Sequence, residues 1–127
     1  MSLALVVDDS MLIRHTVCRY LEQRGWSVEA VTDGAEAVQA LQHFRPDLIV
    51  TDMMMPRMNG SELISELKKR PETADIPIII LCGRNSERDA KANEKRADCA
   101  IYKDIDILNQ LDQAMAVALP GANPAEN

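Results

Sequence analysis

Short apolar runs alternate along the chain with stretches in which apolar residues recur every three or four positions. The runs predict β-strands, and those at 3–7 and 77–81 are apolar at almost every position, which is typical of strands buried on both faces. The stretches between the runs match the buried face of amphipathic helices. The predicted strands are 3–7, 26–31, 48–51, 77–81 and 99–102. The predicted helices are 11–24, 35–44, a third between Gly60 and Arg70 with Leu63, Ile64 and Leu67 on its apolar face, 86–96 and 105–118.

Residues at the ends of these runs support the division. Asp9 or Ser10 can cap the first predicted helix with a side-chain oxygen, and Gly25 can end it. Pro46 closes the second predicted helix, because proline cannot continue a helix. The fourth predicted helix, 86–96, is mostly polar and weakly amphipathic, so we expect it to be poorly anchored.

The strict alternation of strands and helices predicts a doubly wound α/β fold. Strands that are joined through helices pair in parallel, and right-handed crossovers place the helices on both faces of the sheet. Ligand sites in such sheets form beyond the carboxyl ends of the strands. The residues at those ends are Asp8, Asp9, Asp52, Cys82 and Lys103.

Composition limits the classes of function. The chain has 127 residues, 46% of them hydrophobic, and a net charge of -6, which describes one domain able to bury a core without disulfides. Aromatic residues are few and acidic residues outnumber basic ones, so we expect no direct nucleic-acid partner. Three cysteines without a CxxC pair suit a reducing cytoplasm, and no apolar run approaches the roughly 20 residues that span a bilayer. We therefore expect a cytoplasmic protein without membrane association.

The charged residues at the strand ends indicate phosphate chemistry. Asp8, Asp9 and Asp52 would repel one another in a partly desolvated cleft unless some of them stay protonated or a hard cation such as Mg²⁺ neutralises them. Lys103 can serve as a compact positive charge for a carboxylate and then for a phosphoryl oxygen, and one carboxylate can be the nucleophile. Taken singly, these residues fit a helix cap, a turn and a solvated strand end. Their joint placement at one edge of a sheet favours a functional site over these separate structural roles.

With these residues in place, the chain resembles the receiver domain of bacterial two-component response regulators, the CheY-like family. The resemblance covers residues 3–119 and depends on Val-Val-Asp-Asp-Ser at 6–10, the segment from Asp52 to Gly60, and Tyr102-Lys103. It implies a flavodoxin-like five-stranded parallel sheet in the order 2-1-3-4-5. It also implies a receiver domain at 1–119 followed by a flexible tail at 120–127.

The resemblance implies a role for each matching residue. Asp52 is the expected phosphoacceptor, taking a phosphoryl group from a histidine kinase, a phosphotransfer protein or a small acyl phosphate. Asp9 and Asp52 are expected to bind Mg²⁺ directly, Asp8 through water, and Met54 through its backbone carbonyl. Lys103 is expected to pair with the acyl phosphate. Such a domain is a signalling module that catalyses its own phosphorylation and dephosphorylation, rather than an enzyme with a separate substrate.

The chain departs from the family pattern where the phosphorylation signal is relayed. Cys82 stands where the family usually has Thr or Ser, and a thiol is a weaker hydrogen-bond donor than a hydroxyl. Ala100 stands where the family usually has Tyr or Phe, and we expect the strand parity of Tyr102 to prevent it from replacing that ring directly. Asp104 replaces the usual proline after Lys103, which adds negative charge near the site.

Other positions leave two interpretations open. Arg84 lies where the family tunes the lifetime of the phosphorylated state and can reach the site entrance together with Arg57, or it is a solvated loop arginine. Cys82 is better interpreted as a small core residue than as a redox-sensitive thiol. The methionines near Asp52 are interpreted as loop packing rather than as a metal-binding or partner-binding motif. Met54 is also a candidate modulator of the site, together with Arg57 and Arg84.

Three functional hypotheses follow. The first is a phosphorylatable receiver that changes a partner surface formed by the fourth predicted helix, the fifth strand and the fifth predicted helix, where a homodimer can also form. The second is an interaction module that binds its partner regardless of phosphorylation. The third, a metal-dependent phosphohydrolase, lacks the second Asp two residues after the nucleophile, where Met54 stands. The output is expected to come from a partner or from an output domain absent from this chain.

Overall fold

A computed structural model describes residues 2–53, 58–82, 99–103 and 106–119. The strands are β1 (Leu3–Val7), β2 (Ser27–Val31), β3 (Leu48–Asp52), β4 (Ile78–Cys82) and β5 (Cys99–Tyr102), and the helices are α1 (Met11–Glu22), α2 (Gly34–Ala40), α3 (Gly60–Lys69) and α4 (Ile107–Ala118). The last helix, α4, is the fifth of the predicted helices. The predicted helix at 86–96 lies outside the described residues.

The five strands form one parallel sheet in the order β2-β1-β3-β4-β5. This arrangement confirms the predicted fold class and the predicted strand order. The chain moves from β1 outward to β2 and then, after crossing back over β1, through β3 and β4 to β5. The carboxyl ends of β1 and β3 are therefore neighbours, which places the segments after Val7 and at Asp52 side by side.

Apolar side chains cover both faces of the sheet, as the continuous apolar runs predict. Successive residues of a strand point to opposite faces, so each central strand contributes to two separate core clusters. One cluster packs α1 and α4 against the sheet, and the other packs α2 and α3 against the opposite face. Among the helices that the structure describes, none has the length and apolar content that crossing a bilayer requires.

The helix ends follow the local signals, with differences in length. Ser10 is the residue that caps α1, its hydroxyl accepting from the Ile13 N–H, and Gly25 follows the helix with a φ of 88° that other residues rarely adopt. The second helix is shorter than predicted and ends at Ala40. Beyond it the chain continues in tighter turns, in which the N–H of His43 donates to the carbonyl of Ala40.

Candidate functional site at the carboxyl edge of the sheet

Four charged side chains meet at the carboxyl edge of the sheet. Lys103 follows β5, and its Nζ lies 2.9 Å from Asp52 Oδ1 and 3.0 Å from Asp8 Oδ2. Asp52 ends β3 and Asp8 follows β1, and both residues are buried, whereas Asp9 is exposed. The structure thus brings together the four charged residues that the sequence analysis singled out.

Contacts with the backbone fix the orientation of Asp8. The Ser10 N–H donates to Asp8 Oδ1 at 2.8 Å, and the Arg14 guanidinium donates to the Asp8 carbonyl oxygen at 2.8 Å. The N–H of Asp8 donates to the Val31 carbonyl at 3.2 Å. The second carboxylate oxygen, Oδ2, is buried and forms an ion pair with the Lys103 ammonium. Apart from this ion pair, the oxygen has no hydrogen-bond partner within the described part of the chain.

Two opposing effects act on the Lys103 ammonium. Burial lowers its pKa because desolvation disfavours the charged form, but the contacts with Asp52 and Asp8 outweigh burial and leave the pKa raised. Lys103 therefore carries its charge throughout the physiological pH range. That charge offsets part of the repulsion between two carboxylates that are withdrawn from water.

The chain returns to the site at the start of α3. The Gly60 N–H donates to the Met53 carbonyl at 3.0 Å, and a Cβ at position 60 would clash with the Asp52 carbonyl oxygen. Asn59 caps the helix, its side chain accepting from the Glu62 N–H while the Glu62 carboxylate accepts from the Asn59 N–H. A residue without a side chain at position 60 therefore allows the helix to begin directly against the end of β3.

The carboxylates fit a divalent cation. Asp8, Asp9 and Asp52 each offer an oxygen, and these oxygens all lie within 4.8 Å of one another. Two oxygens on one Mg²⁺ are separated by about 3–4 Å, because its octahedral bonds are about 2.1 Å long. Three carboxylates and one ammonium leave the cluster with a net negative charge, which a divalent cation would offset. The residues present therefore suit Mg²⁺.

Comparison with known proteins decides the family. The family model described as the response regulator receiver domain matches residues 4–116 of the chain. The chain belongs to the response regulator receiver family. Its strands, its acidic edge and its lysine thus form part of a two-component signalling domain.

Relatives of this receiver domain agree with the assignment. "Response regulator MprA" of Mycobacterium sp. (strain KMS) is 42% identical over 82 residues, which are 65% of this chain and 35% of that protein. The chain therefore matches about a third of the length of this relative. The receiver domain of a signal transduction histidine kinase from Syntrophus aciditrophicus has a TM-score of 0.82 at 31% identity, covering 95% of this chain and 92% of that one. The chemotaxis response regulator CheY4 of Vibrio cholerae has a TM-score of 0.78 at 30% identity, covering 90% and 98%.

The thiol of the receiver's Cys82 is buried at the end of β4. Its Sγ donates to the carbonyl oxygen of Ile101 at 3.3 Å, across to the neighbouring strand. The carbonyl of Cys82 accepts from the Lys103 N–H at 2.9 Å. The burial agrees with the interpretation of Cys82 as a core residue, and its backbone takes part in positioning the lysine.

Tyr102 shares a face of the receiver's β5 with Ala100, so the predicted difference in strand parity is wrong. Residues two apart on a strand point to the same face, because the side-chain period of a strand is two. Both residues pack against the core cluster that contains Cys82, and Tyr102 is the register partner of Cys82. An aromatic ring is therefore present on this face, although not at the position where the family usually has one.

Several predicted residues of the receiver lie outside the described part of the chain, so their roles stay predictions. These residues are Met54, Arg57, Arg84 and Asp104, together with the tail at 120–127.

Sequence reasoning missed two residues of the receiver. One is Arg14, which holds the Asp8 carbonyl and whose only signal is its place one helical turn after Ser10. The other is Gln110, whose side-chain amide binds the backbone of Tyr102. No local pattern marks Gln110, because its contact depends on how α4 packs beside β5.

Proposed function

We propose that this chain is a phosphoacceptor receiver domain of a two-component phosphorelay, in which Asp52 accepts the phosphoryl group. The proposal depends on one observation above all: Lys103 Nζ bridges the buried carboxylates of Asp52 and Asp8, beside the exposed Asp9. A nucleophilic carboxylate, a cation-binding acidic set and a fixed positive charge are the groups that phosphoryl transfer to a carboxylate requires. In this proposal residues 1–119 form the receiver and residues 120–127 a flexible tail.

The chemistry is a single displacement at phosphorus. An oxygen of Asp52 forms a new bond to phosphorus while the bond to the donor breaks, and the donor's imidazole nitrogen or acetate oxygen leaves with the electron pair. Lys103 then pairs with a phosphoryl oxygen in place of the Asp52 oxygen that it contacts in this structure. Asp9, Asp52 and the carbonyl of Met54 would hold Mg²⁺, with Asp8 acting through water. The bound ion supplies positive charge that offsets the charge of the phosphoryl group.

The proposed donor is a histidine kinase or a phosphotransfer protein in the cytoplasm. Met11 and Leu12 begin α1 just after Asp9 and are 75% and 73% exposed, so an apolar surface lies beside the acceptor. The proposed output is a partner, or an output domain beyond this chain, that responds to the surface around β5 and α4, where a homodimer can also form. Arg57 and Arg84 are proposed to modulate the lifetime of the phosphorylated state.

Mg²⁺-dependent labelling by radioactive acetyl phosphate tests the proposal. The native chain is expected to form an acyl phosphate that hydroxylamine cleaves, and Asp52→Asn or removal of Mg²⁺ by EDTA is expected to abolish the label. Asp75→Asn, a change at an exposed aspartate outside the site, serves as the matched control and is expected to label normally. A native chain that takes no label from acetyl phosphate or from a phosphorylated histidine kinase would contradict the proposal.

A second candidate is an interaction module that binds its partner regardless of phosphorylation. The observation in its favour is that the Cys82 thiol donates to the Ile101 carbonyl and that position 100 has only a methyl group. Both features weaken the expected relay between the phosphoryl group and the partner surface. If labelling succeeds but backbone amide shifts change only at the acidic edge, this candidate gains support. The double variant Cys82→Thr with Ala100→Tyr is then expected to spread the shifts toward α4; no spread would count against the weakened relay.

A further inference from the structure

The side-chain amide of Gln110 binds both backbone polar groups of Tyr102. The Tyr102 N–H donates to Gln110 Oε1 at 2.9 Å, and Gln110 Nε2 donates to the Tyr102 carbonyl oxygen at 2.8 Å. A primary amide that donates and accepts at one residue reproduces the pairing that a neighbouring strand would offer. The helix α4 thereby holds the last residue of β5 by two hydrogen bonds.

This pairing lies on the outer side of the sheet. β5 is an edge strand, and its partner β4 accepts from the Lys103 N–H through the Cys82 carbonyl at 2.9 Å. Because the polar groups of successive residues in a strand alternate in direction, those of Tyr102 point away from β4. Gln110 satisfies groups that pairing with β4 does not reach.

The two contacts meet in one peptide group. The Tyr102 carbonyl and the Lys103 N–H belong to the same planar unit, so Gln110 holds it from outside the sheet while Cys82 holds it from β4. This peptide immediately precedes the Cα of Lys103, whose ammonium reaches Asp52 at 2.9 Å and Asp8 at 3.0 Å. Holding the peptide at both ends restricts the direction in which the lysine side chain leaves the backbone.

We propose that Gln110 is a positioning residue for Lys103 during phosphoryl transfer to Asp52. The inference rests on the proposed function and assigns a role in it to a residue of α4 that acts through the backbone of Tyr102. Loss of the hydrogen bond from Gln110 Nε2 to the Tyr102 carbonyl leaves the Tyr102–Lys103 peptide held only by Cys82 and lets it rotate. A small displacement of a charged group is enough to slow a transfer that depends on alignment.

The test compares Gln110→Glu with Gln113→Glu. A carboxylate at position 110 would keep the acceptor for the Tyr102 N–H but could not donate to the Tyr102 carbonyl. Gln113 is exposed on the same helix, so Gln113→Glu adds the same charge without changing the contacts of Tyr102. Gln110→Glu is expected to slow labelling by acetyl phosphate roughly tenfold, with Gln113→Glu within about twofold of the native chain. Labelling of Gln110→Glu at the native rate would overturn the inference.

A double-mutant cycle separates positioning of Lys103 from a general structural effect. In a Lys103→Ala background, Gln110→Glu is expected to cause no further loss of labelling, because the group it positions is gone. An equal further loss in that background would show that Gln110 acts elsewhere, and would overturn the inference.

A second measurement keeps the two proposals distinguishable. In protein labelled with ¹³C at lysine, the Cε resonance of Lys103 is expected to move in Gln110→Glu and Gln110→Ala and to stay in place in Gln113→Glu. If the native chain takes no label, the proposed function fails, and an unmoved Lys103 resonance then overturns the positioning role as well. If the native chain is labelled and the resonance and rate are both unaffected, only the positioning role fails.

Discussion

At the scale of single residues, Gly60 determines how closely α3 approaches Asp52, the proposed phosphoacceptor. Gly60→Ala would place a Cβ against the Asp52 carbonyl oxygen and 2.9 Å from Met53 Cα, so the end of β3 must shift. We expect this variant to lose about 1–3 kcal/mol of unfolding free energy, measured by urea denaturation, and to accept phosphate more slowly. Gly25→Ala, which meets no atom within 4 Å but has a positive φ, is the control and should lose stability without slower labelling. Equal labelling by both variants would contradict this account of Gly60.

The sequence was enough to predict which residues lie close together where the order of the strands alone determines it. Asp8, Asp52 and Lys103 were expected to meet because they follow or end parallel strands, and the strand order makes those ends neighbours. Arg14 and Gln110 were not predicted, because a contact from a side chain to a distant backbone group leaves no periodic pattern. Tyr102 was predicted to differ from Ala100 in strand parity, but residues two apart on a strand point to the same face, and both pack against the cluster that contains Cys82.

At the scale of elements, a polar link joins the first and last helices. The Tyr20 hydroxyl donates to Asp112 Oδ1 at 2.5 Å, the Arg24 guanidinium is 3.3 Å from the same oxygen, and it also lies 3.7 Å from the centre of the Tyr20 ring. Tyr20→Phe is expected to lower the unfolding free energy by about 1 kcal/mol in urea denaturation. Asp112→Ala removes the same hydrogen bond as Tyr20→Phe, so the double variant should lose less unfolding free energy than the sum of the two single losses. A loss equal to that sum would mean that the hydrogen bond contributes nothing to stability.

Element boundaries were predicted well for strands and less well for helices. Buried strands are short apolar runs with abrupt polar ends, and β5 matches its predicted bounds. Helices end where hydrogen bonding changes rather than where apolar residues stop, so α2 ends at Ala40 although apolar residues continue to Phe44. The cap of α1 shows the same limit, since Asp9 and Ser10 both carry an oxygen that can cap a helix and the structure has Ser10 as the cap.

At the scale of the whole molecule, Tyr20 and Lys103 are among the described groups that make the fold sensitive to alkaline pH. Burial and the hydrogen bond from Tyr20 to Asp112 raise the pKa of Tyr20 above its usual 10.0. Burial lowers the pKa of Lys103, but the neighbouring carboxylates outweigh it and leave that pKa above 10.5. The folded chain therefore binds more protons than the unfolded chain at high pH, so its stability falls as pH rises beyond about 10. Urea midpoints measured from about pH 8 to pH 11 should decline, and Tyr20→Phe should make the decline shallower. A midpoint that stays constant over this range would contradict the prediction.

The contact between Gln110 and Tyr102 also has a consequence for association between molecules. An open edge strand is a template on which a foreign strand can add, and parallel sheets of this kind have two such edges. At Tyr102 the place of an incoming peptide is already taken by a side chain from the same molecule. A second chain can extend the sheet at that residue only by displacing the glutamine. One amide group thus protects this position against edge-to-edge polymerisation.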